Sequence, residues 1–281
     1  VTGLAGAGAD PLPLTLVALL AAGYLLAVTR DRRGWRRGRS VSWLAGCAVL
    51  ALAFGPLAGG SADPRVHVAQ HLLLGMVAPL GLALGAPVTL LLRVAPPPVR
   101  RAVTRVLRAR PLHLLAHPAT AALLATGGLA VVLLTPLYAA AERNPWLHHG
   151  LHLHYLAAGY VFAWAVAGPD PAPRRAGPAM RAGVLLGAAA GHAVLAKYLY
   201  AHAATLPPGL ADRDVAALRS AARLMWYGGD VAELLLAAAF FAAWYGRRGR
   251  RVQRAACGLP AVSRTVKPSA PQCRVTWLHD W

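Results

Sequence analysis

Acidic residues are scarce in this chain. It carries 10 Asp and Glu against 29 Lys and Arg over 281 residues, and charged residues of both signs make up only 14%. A soluble domain usually carries about a quarter, so a soluble globular domain is not the expected class. Cysteine is almost as rare, with Cys47, Cys257 and Cys273 alone. Cys47 lies in an apolar run and reads as a small core residue. The other two lie in a polar tail without metal-type spacing, so neither a disulfide framework nor a zinc motif is present. There is no glycine-rich phosphate-binding loop and no nucleophile–base pair at a usable spacing, which leaves hydrolase and nucleotide chemistry without residues to carry it. Despite a net charge of +19, no RNA- or DNA-binding motif appears, and nucleic acid is not expected as a partner.

What the chain has in quantity is apolar sequence. Hydrophobic residues make up 57%. They collect in runs of roughly 17–25, the length a helix needs to cross a bilayer core. Seven runs stand out, at about 12–29, 41–57, 65–84, 111–134, 146–167, 182–203 and 226–245. The expected fold is therefore all-α: a polytopic integral membrane bundle of about seven transmembrane helices over residues 1–246. A basic tail over 247–281 has little apolar surface to offset chain entropy and is expected to be disordered. The first run lacks a basic stretch before it and has arginines after it, so it reads as a retained helix rather than a signal peptide. A short helix is also expected after Asp212.

The basic residues are asymmetrically placed. With seven spans, the loops after spans one, three and five and the tail collect 23 of the 29 Lys and Arg, leaving six elsewhere. Positive-inside bias then puts the N-terminus outside and the C-terminus in the cytoplasm. Between spans three and four, Arg100, Arg101, Arg105 and Arg108 alternate with valine and leucine. That pattern predicts a short amphipathic helix on an anionic lipid surface.

That topology gives the histidines a place. "NPWLHHGLHLHY" holds His148, His149, His152 and His154 where span five begins, at the outer side. His67 and His71 begin span three at the same side, His202 ends span six there, and Asp230 and Glu233 lie in the outer part of span seven. Residues three or four apart share a helix face, which groups His67 with His71, His148 and His149 with His152, and Asp230 with Glu233. Ionisable groups inside spans are costly and usually functional. Imidazole pairs at i, i+4 can grip one metal ion, and imidazole suits copper, zinc and iron. The candidate metal ligands are thus His67, His71, His148, His149, His152, His202, Asp230 and Glu233. His154 points elsewhere and reads as structural. His113 and His117 read as interfacial. Met76 is about 140° round an ideal helix from His71 and is set aside. His192 lies nearer mid-membrane. Lys197 is expected to pair with Asp230 or Glu233, or to snorkel. Gly75, Pro79, Gly81, Gly127, Gly128 and Gly159 within spans predict close packing or kinks.

Four stretches, "HVAQHLLLGMVAPLGLALGAPV" (67–88), "NPWLHHGLHLHYLAAGYVFAWAVAGPDP" (144–171), "GHAVLAKYLYA" (191–201) and "YGGDVAELLLA" (227–237), resemble the CtaG family of cytochrome c oxidase assembly factors described in Gram-positive bacteria. The resemblance spans roughly residues 12–246. It implies a multi-pass protein of the bacterial plasma membrane, needed for an active haem-copper oxidase, with oxidase subunits as partners, a role in handling copper and no catalytic turnover. The family's motif histidines fall on His67, His71, His148 and His152, and its acidic position in the last helix on Asp230. Two alternatives stay open. His71 and His152 on different helices could ligate a haem iron axially, or the chain could transport metal ions or protons.

Overall fold

The computed structural model describes residues 11–57, 63–172, 175–210 and 213–256. Among them every regular element is helical. Helices α1 (Pro11–Arg30) and α2 (Arg37–Phe54) cover the first two apolar runs. The third run is α3 (Pro64–Leu72), a π turn (Leu73–Val77) and α4 (Ala78–Leu84), followed by α5 (Pro87–Val94). The arginine-rich α6 (Pro97–Arg108) buries no residue, as a surface amphipathic helix should.

The fourth run departs from expectation. It begins as α7 (Arg110–Leu115) and then breaks before Pro118, because a residue ahead of proline is driven out of the helical region; His117 has ψ 128°. The long helix starts only at α8 (Pro118–Ala122), passes a second π turn (Leu123–Gly127) and ends as α9 (Gly128–Leu134). α10 (Leu137–Arg143) bends 77° away. α11 (Pro145–Val166) and α12 (Pro178–Ala201) are unbroken. The last helix, α13 (Val215–Ala256), is longer than expected. It absorbs the short helix expected after residue 212 and the first ten residues of the basic tail. Cys257 and Cys273 lie outside the described residues.

Among the described residues, four helical segments are long and apolar enough to cross a membrane: Pro11–Arg30, Pro64–Val94, Pro178–Ala201 and Val215–Gly246. The bent pair Pro118–Leu134 and Leu137–Arg143 makes a fifth if it counts as one span. In α2, Arg37 and Arg39 lower the hydropathy, and in α11 the histidines do. Large apolar side chains face outward along these helices, among them Leu19, Leu123, Leu186, Val194 and Leu234. A surface of that kind marks a membrane or protein interface.

Specific contacts sort the helix ends of residues 11–240 into two groups. At one end Tyr24 donates to the Gly85 carbonyl (2.7 Å) and Arg93 pairs with Asp31 (3.1 Å). Here also the buried Asp170, in the loop after α11, accepts from the backbone N–H groups of Val88 (3.0 Å) and Thr89 (2.7 Å) and from the Thr89 hydroxyl. Asp170 thereby satisfies the orphan donors that open α5. Arg181 donates to the Val166 carbonyl at 2.8 Å. At the other end the rings of His67, Tyr138, His148, His152 and Phe54 meet. Arg93 and Arg181 thus lie at one end, and His67, His148 and His152 at the other.

Two helix crossings depend on missing side chains. α2 and α4 cross at Gly46 and Gly81, where a Cβ on either would lie 2.8–2.9 Å from backbone atoms of the other helix. Gly159 of α11 touches the π turn at Gly75 more closely still. Close packing expected of these glycines is what the structure contains.

Candidate metal centre

The two helices that carry most of the histidines begin in the same way. Asp63 before Pro64 caps α3, accepting from the Arg65 N–H at 2.8 Å. Asn144 before Pro145 caps α11, accepting from the N–H groups of Trp146 (3.0 Å) and Leu147 (3.4 Å). Asx at the N-cap and proline at the first helical position are the strongest start signals a helix has. They fix where the first turn begins and so which way His67, His148 and His152 project.

These rings form a chain. His67 stands edge-on to Tyr138 (4.7 Å between centroids) and faces His148 at 6.4 Å. His148 lies 4.3 Å from His152 and 5.9 Å from His149. His149 is exposed, His67 and His148 are half-buried and His152 is buried, so the group runs inward from a surface mouth. The His152 Nε2 has no hydrogen-bond partner, although buried polar atoms almost always have one.

His71 shares a helix face with His67 but turns to a different neighbourhood. Its ring stands edge-on to Tyr155 at 4.7 Å and near-parallel to His192 at 6.4 Å. The His192 Nδ1 lies 3.8 Å from the Glu233 Oε1. These residues line a partly open cavity of about 50 Å³ between α3, α4, the two π turns, α9, α11, α12 and α13. Both ring nitrogens of His71 and of His192, and the Tyr155 hydroxyl, are buried without hydrogen-bond partners. Asp230 is half-buried, three residues before Glu233 on α13.

Other expected groups lie apart. His202 is exposed at the end of α12, its Nδ1 3.0 Å from the Tyr198 carbonyl and its ring against Tyr198. Lys197 pairs with neither Asp230 nor Glu233; its ammonium sits over the Trp226 ring, 4.2 Å from the centroid. Glu233 has His192 beside it instead. Met76 lines the same cavity as His71, against the expectation from an ideal helix. The π turn between them lowers the rotation per residue, which changes which side chains share a face. Among the described residues no three His, Cys, Asp or Glu side chains close on one point as a finished metal centre does.

His192, Tyr138 and Tyr155 carry no site signal in the sequence. His192 is a lone imidazole with no partner three or four residues away, so periodicity gave no signal. Only the packing of α12 against its neighbours supplies one.

Apolar helices long enough to cross a membrane, with a histidine mouth at one end and an imidazole-lined cavity behind it, define a membrane-protein class rather than a soluble metalloenzyme. The chain belongs to the cytochrome c oxidase caa3 assembly factor family (Caa3_CtaG), whose family model matches residues 22–247 and so contains every residue of the mouth and cavity. Proteins of Mycobacterium bovis and Mycobacterium tuberculosis are each 40% identical to it over 187 residues, and one of Mycobacterium leprae is 38% identical over 189. Each alignment covers 62% of this chain and 28% of the relative. The chain thus spans under a third of the length of the curated relatives it matches. No solved structure matches it.

Proposed function

We propose that the chain is a multi-pass plasma-membrane assembly factor that holds copper for cytochrome c oxidase at the histidine mouth, without catalytic turnover. The observation that carries this reading is the ring chain His67–His148–His152, built from two helices at one end of the bundle, with a buried nitrogen of His152 left without a partner.

The donors suit the ion. Imidazole nitrogen is a good copper ligand. Two imidazoles sharing one ion at metal–nitrogen distances of about 2 Å hold their ring centres roughly 4–6.5 Å apart. The neighbouring pairs, at 4.3, 5.9 and 6.4 Å, fall in that range. An arrangement that offers pairs but no closed set of three suits a protein that must release its cargo. His71 and His152, the pair that would ligate a haem, lie in different neighbourhoods: His71 lines the cavity behind the mouth and stands against Tyr155, whereas His152 stands against His148. This favours copper over the haem reading.

In this proposal all seven long helical segments cross the membrane, with the N-terminus outside. The arginine-rich end is then cytoplasmic and the mouth faces outward. Arg100, Arg101, Arg105 and Arg108 on α6 meet anionic lipid headgroups, and the partners at the mouth are oxidase subunits. His148 and His152 act first, and His149 extends the mouth to solvent.

The experiment is complementation of a host lacking its own copy. His148→Ala/His152→Ala protein should reach the membrane at normal levels while the assembled oxidase loses most of its copper and activity. Normal oxidase copper with the double variant would overturn the reading.

A further inference from the structure

We infer that the cavity behind the mouth is a second, separate site for monovalent copper, gripped by His71 and His192 with the Met76 thioether beside them, and with Glu233 as a positioning residue rather than a ligand. The inference rests on the copper reading of the mouth and deepens it: the chain would hold two ions, one at the mouth and one behind it.

Four observations point here. First, the cavity is walled mostly by apolar side chains, yet His71 and His192, 7% and 4% exposed, are among its lining residues, and all four of their ring nitrogens are buried without a hydrogen-bond partner. A neutral imidazole carries one N–H donor and one acceptor, and leaving either buried and unsatisfied costs about 1–3 kcal/mol. Four such atoms around one cavity are an unfilled requirement.

Second, the His192 ring has a defined orientation. A Cβ placed on Gly229 would clash with its Nδ1–Cε1 edge, and that same Nδ1 lies 3.8 Å from the Glu233 Oε1. The opposite nitrogen, Nε2, is therefore the one free to ligate. Metal-ligating histidines usually donate their other N–H to a carboxylate, which fixes the tautomer. At 3.8 Å the gap exceeds a hydrogen bond, so Glu233 stands beside Nδ1 as an ion-pair neighbour. Glu233 is also an acidic side chain at the cavity wall, and ionisable groups inside a membrane bundle usually serve a function.

Third, the donor chemistry selects an oxidation state. A thioether is a soft ligand that favours Cu(I), and Met76 lines the cavity only because the π turn Leu73–Val77 changes the helical phase after His71. The second π turn brings Ala125 and Thr126 to the same cavity. π turns are uncommon and concentrate at functional sites.

Fourth, the ring centres of His71 and His192 are 6.4 Å apart. Two imidazoles on opposite sides of one ion, at metal–nitrogen distances of about 2 Å, have centres roughly 6 Å apart.

The test is an anaerobic Cu(I) titration of the detergent-purified full chain with a competing chromophoric chelator, followed by X-ray absorption at the copper edge. Wild type should bind two ions, with a sulfur scatterer in the spectrum of the loaded protein. His192→Gln, which keeps a polar side chain of similar reach, should bind one and lose the sulfur signal. Met76→Leu should lose the sulfur signal and weaken the inner ion at least tenfold. Glu233→Gln should weaken it without removing the sulfur signal. The His148→Ala/His152→Ala protein should keep the inner ion and its sulfur. Thermal melting of each variant shows that it is folded. If wild type binds one ion and His192→Gln still binds it, the inner site is wrong while the mouth stands. If wild type binds none, both readings fail.

Discussion

The Gly159 Cα of α11 lies so close to the Gly75 carbonyl that a Cβ on Gly159 would fall on that oxygen. This contact seats α11 on the π turn that follows His71. It sets the distance between the helix carrying His148 and His152 and the helix carrying His67 and His71. Gly159→Ala must push the two helices apart, because the obstruction is backbone. Overpacking of this kind costs about 1–3 kcal/mol. The melting temperature in detergent should fall, and copper retained at the mouth should fall with it. Gly150→Ala on the same helix, with nothing within 4 Å of the added atom, should be neutral or stabilise by up to about 1 kcal/mol. Equal behaviour of the two variants would refute the crossing.

Asp170 closes the opposite end. Its carboxylate accepts from Val88, Thr89 and the Thr89 hydroxyl while 1% exposed. Asp170→Ala leaves those donors buried and unpaired, and a lost cap with an orphaned partner costs about 2–4 kcal/mol. Asp170→Asn keeps one acceptor and should recover part of that loss. Thermal melting with circular dichroism distinguishes them. Wild-type stability in both would contradict the capping role.

Lys197 belongs to Trp226, not to the carboxylates. Removing the ammonium in Lys197→Met costs the cation–π contact, about 0.5–1 kcal/mol at an exposed position. Copper stoichiometry should stay at the wild-type value. A marked loss of copper on that change would place Lys197 in the electrostatics of Asp230 and Glu233 after all.

The proposed orientation is directly measurable. Single cysteines replacing His149 at the mouth and Arg36 between α1 and α2, in a Cys47→Ala background without the tail cysteines, can be labelled in intact cells with a membrane-impermeant maleimide. His149→Cys should label and Arg36→Cys should not. The reverse pattern would turn the protein over and place the mouth in the cytoplasm.

Much of this architecture was legible in the sequence because its causes are local. Asp63-Pro64 and Asn144-Pro145 announce the helix starts, the apolar runs mark where the long helices lie though not the full length of α13, and the arginine spacing of residues 100–108 gives the surface helix. The histidine end was also legible, since alternation of the runs brings the starts of the third and fifth together. What stayed hidden depends on tertiary contact. The break before Pro118 follows from proline, yet the apolar run ran through it. The π turns, which bring Met76 and His71 to one cavity, break the 3.6-residue rule on which the phase argument stood. The pairing of Glu233 with His192 and of Lys197 with Trp226 is a choice among neighbours that only packing makes. His202, equal to the others by position along the chain, turns to Tyr198.

Copper at the histidine mouth decides the proposed function. The most direct measurement is elemental analysis of the detergent-purified protein after copper loading and removal of excess, wild type beside His148→Ala/His152→Ala. Wild type should retain at least one copper per chain and the double variant one fewer, with both proteins folded. Equal copper in the two, or none in wild type, would contradict copper at the mouth.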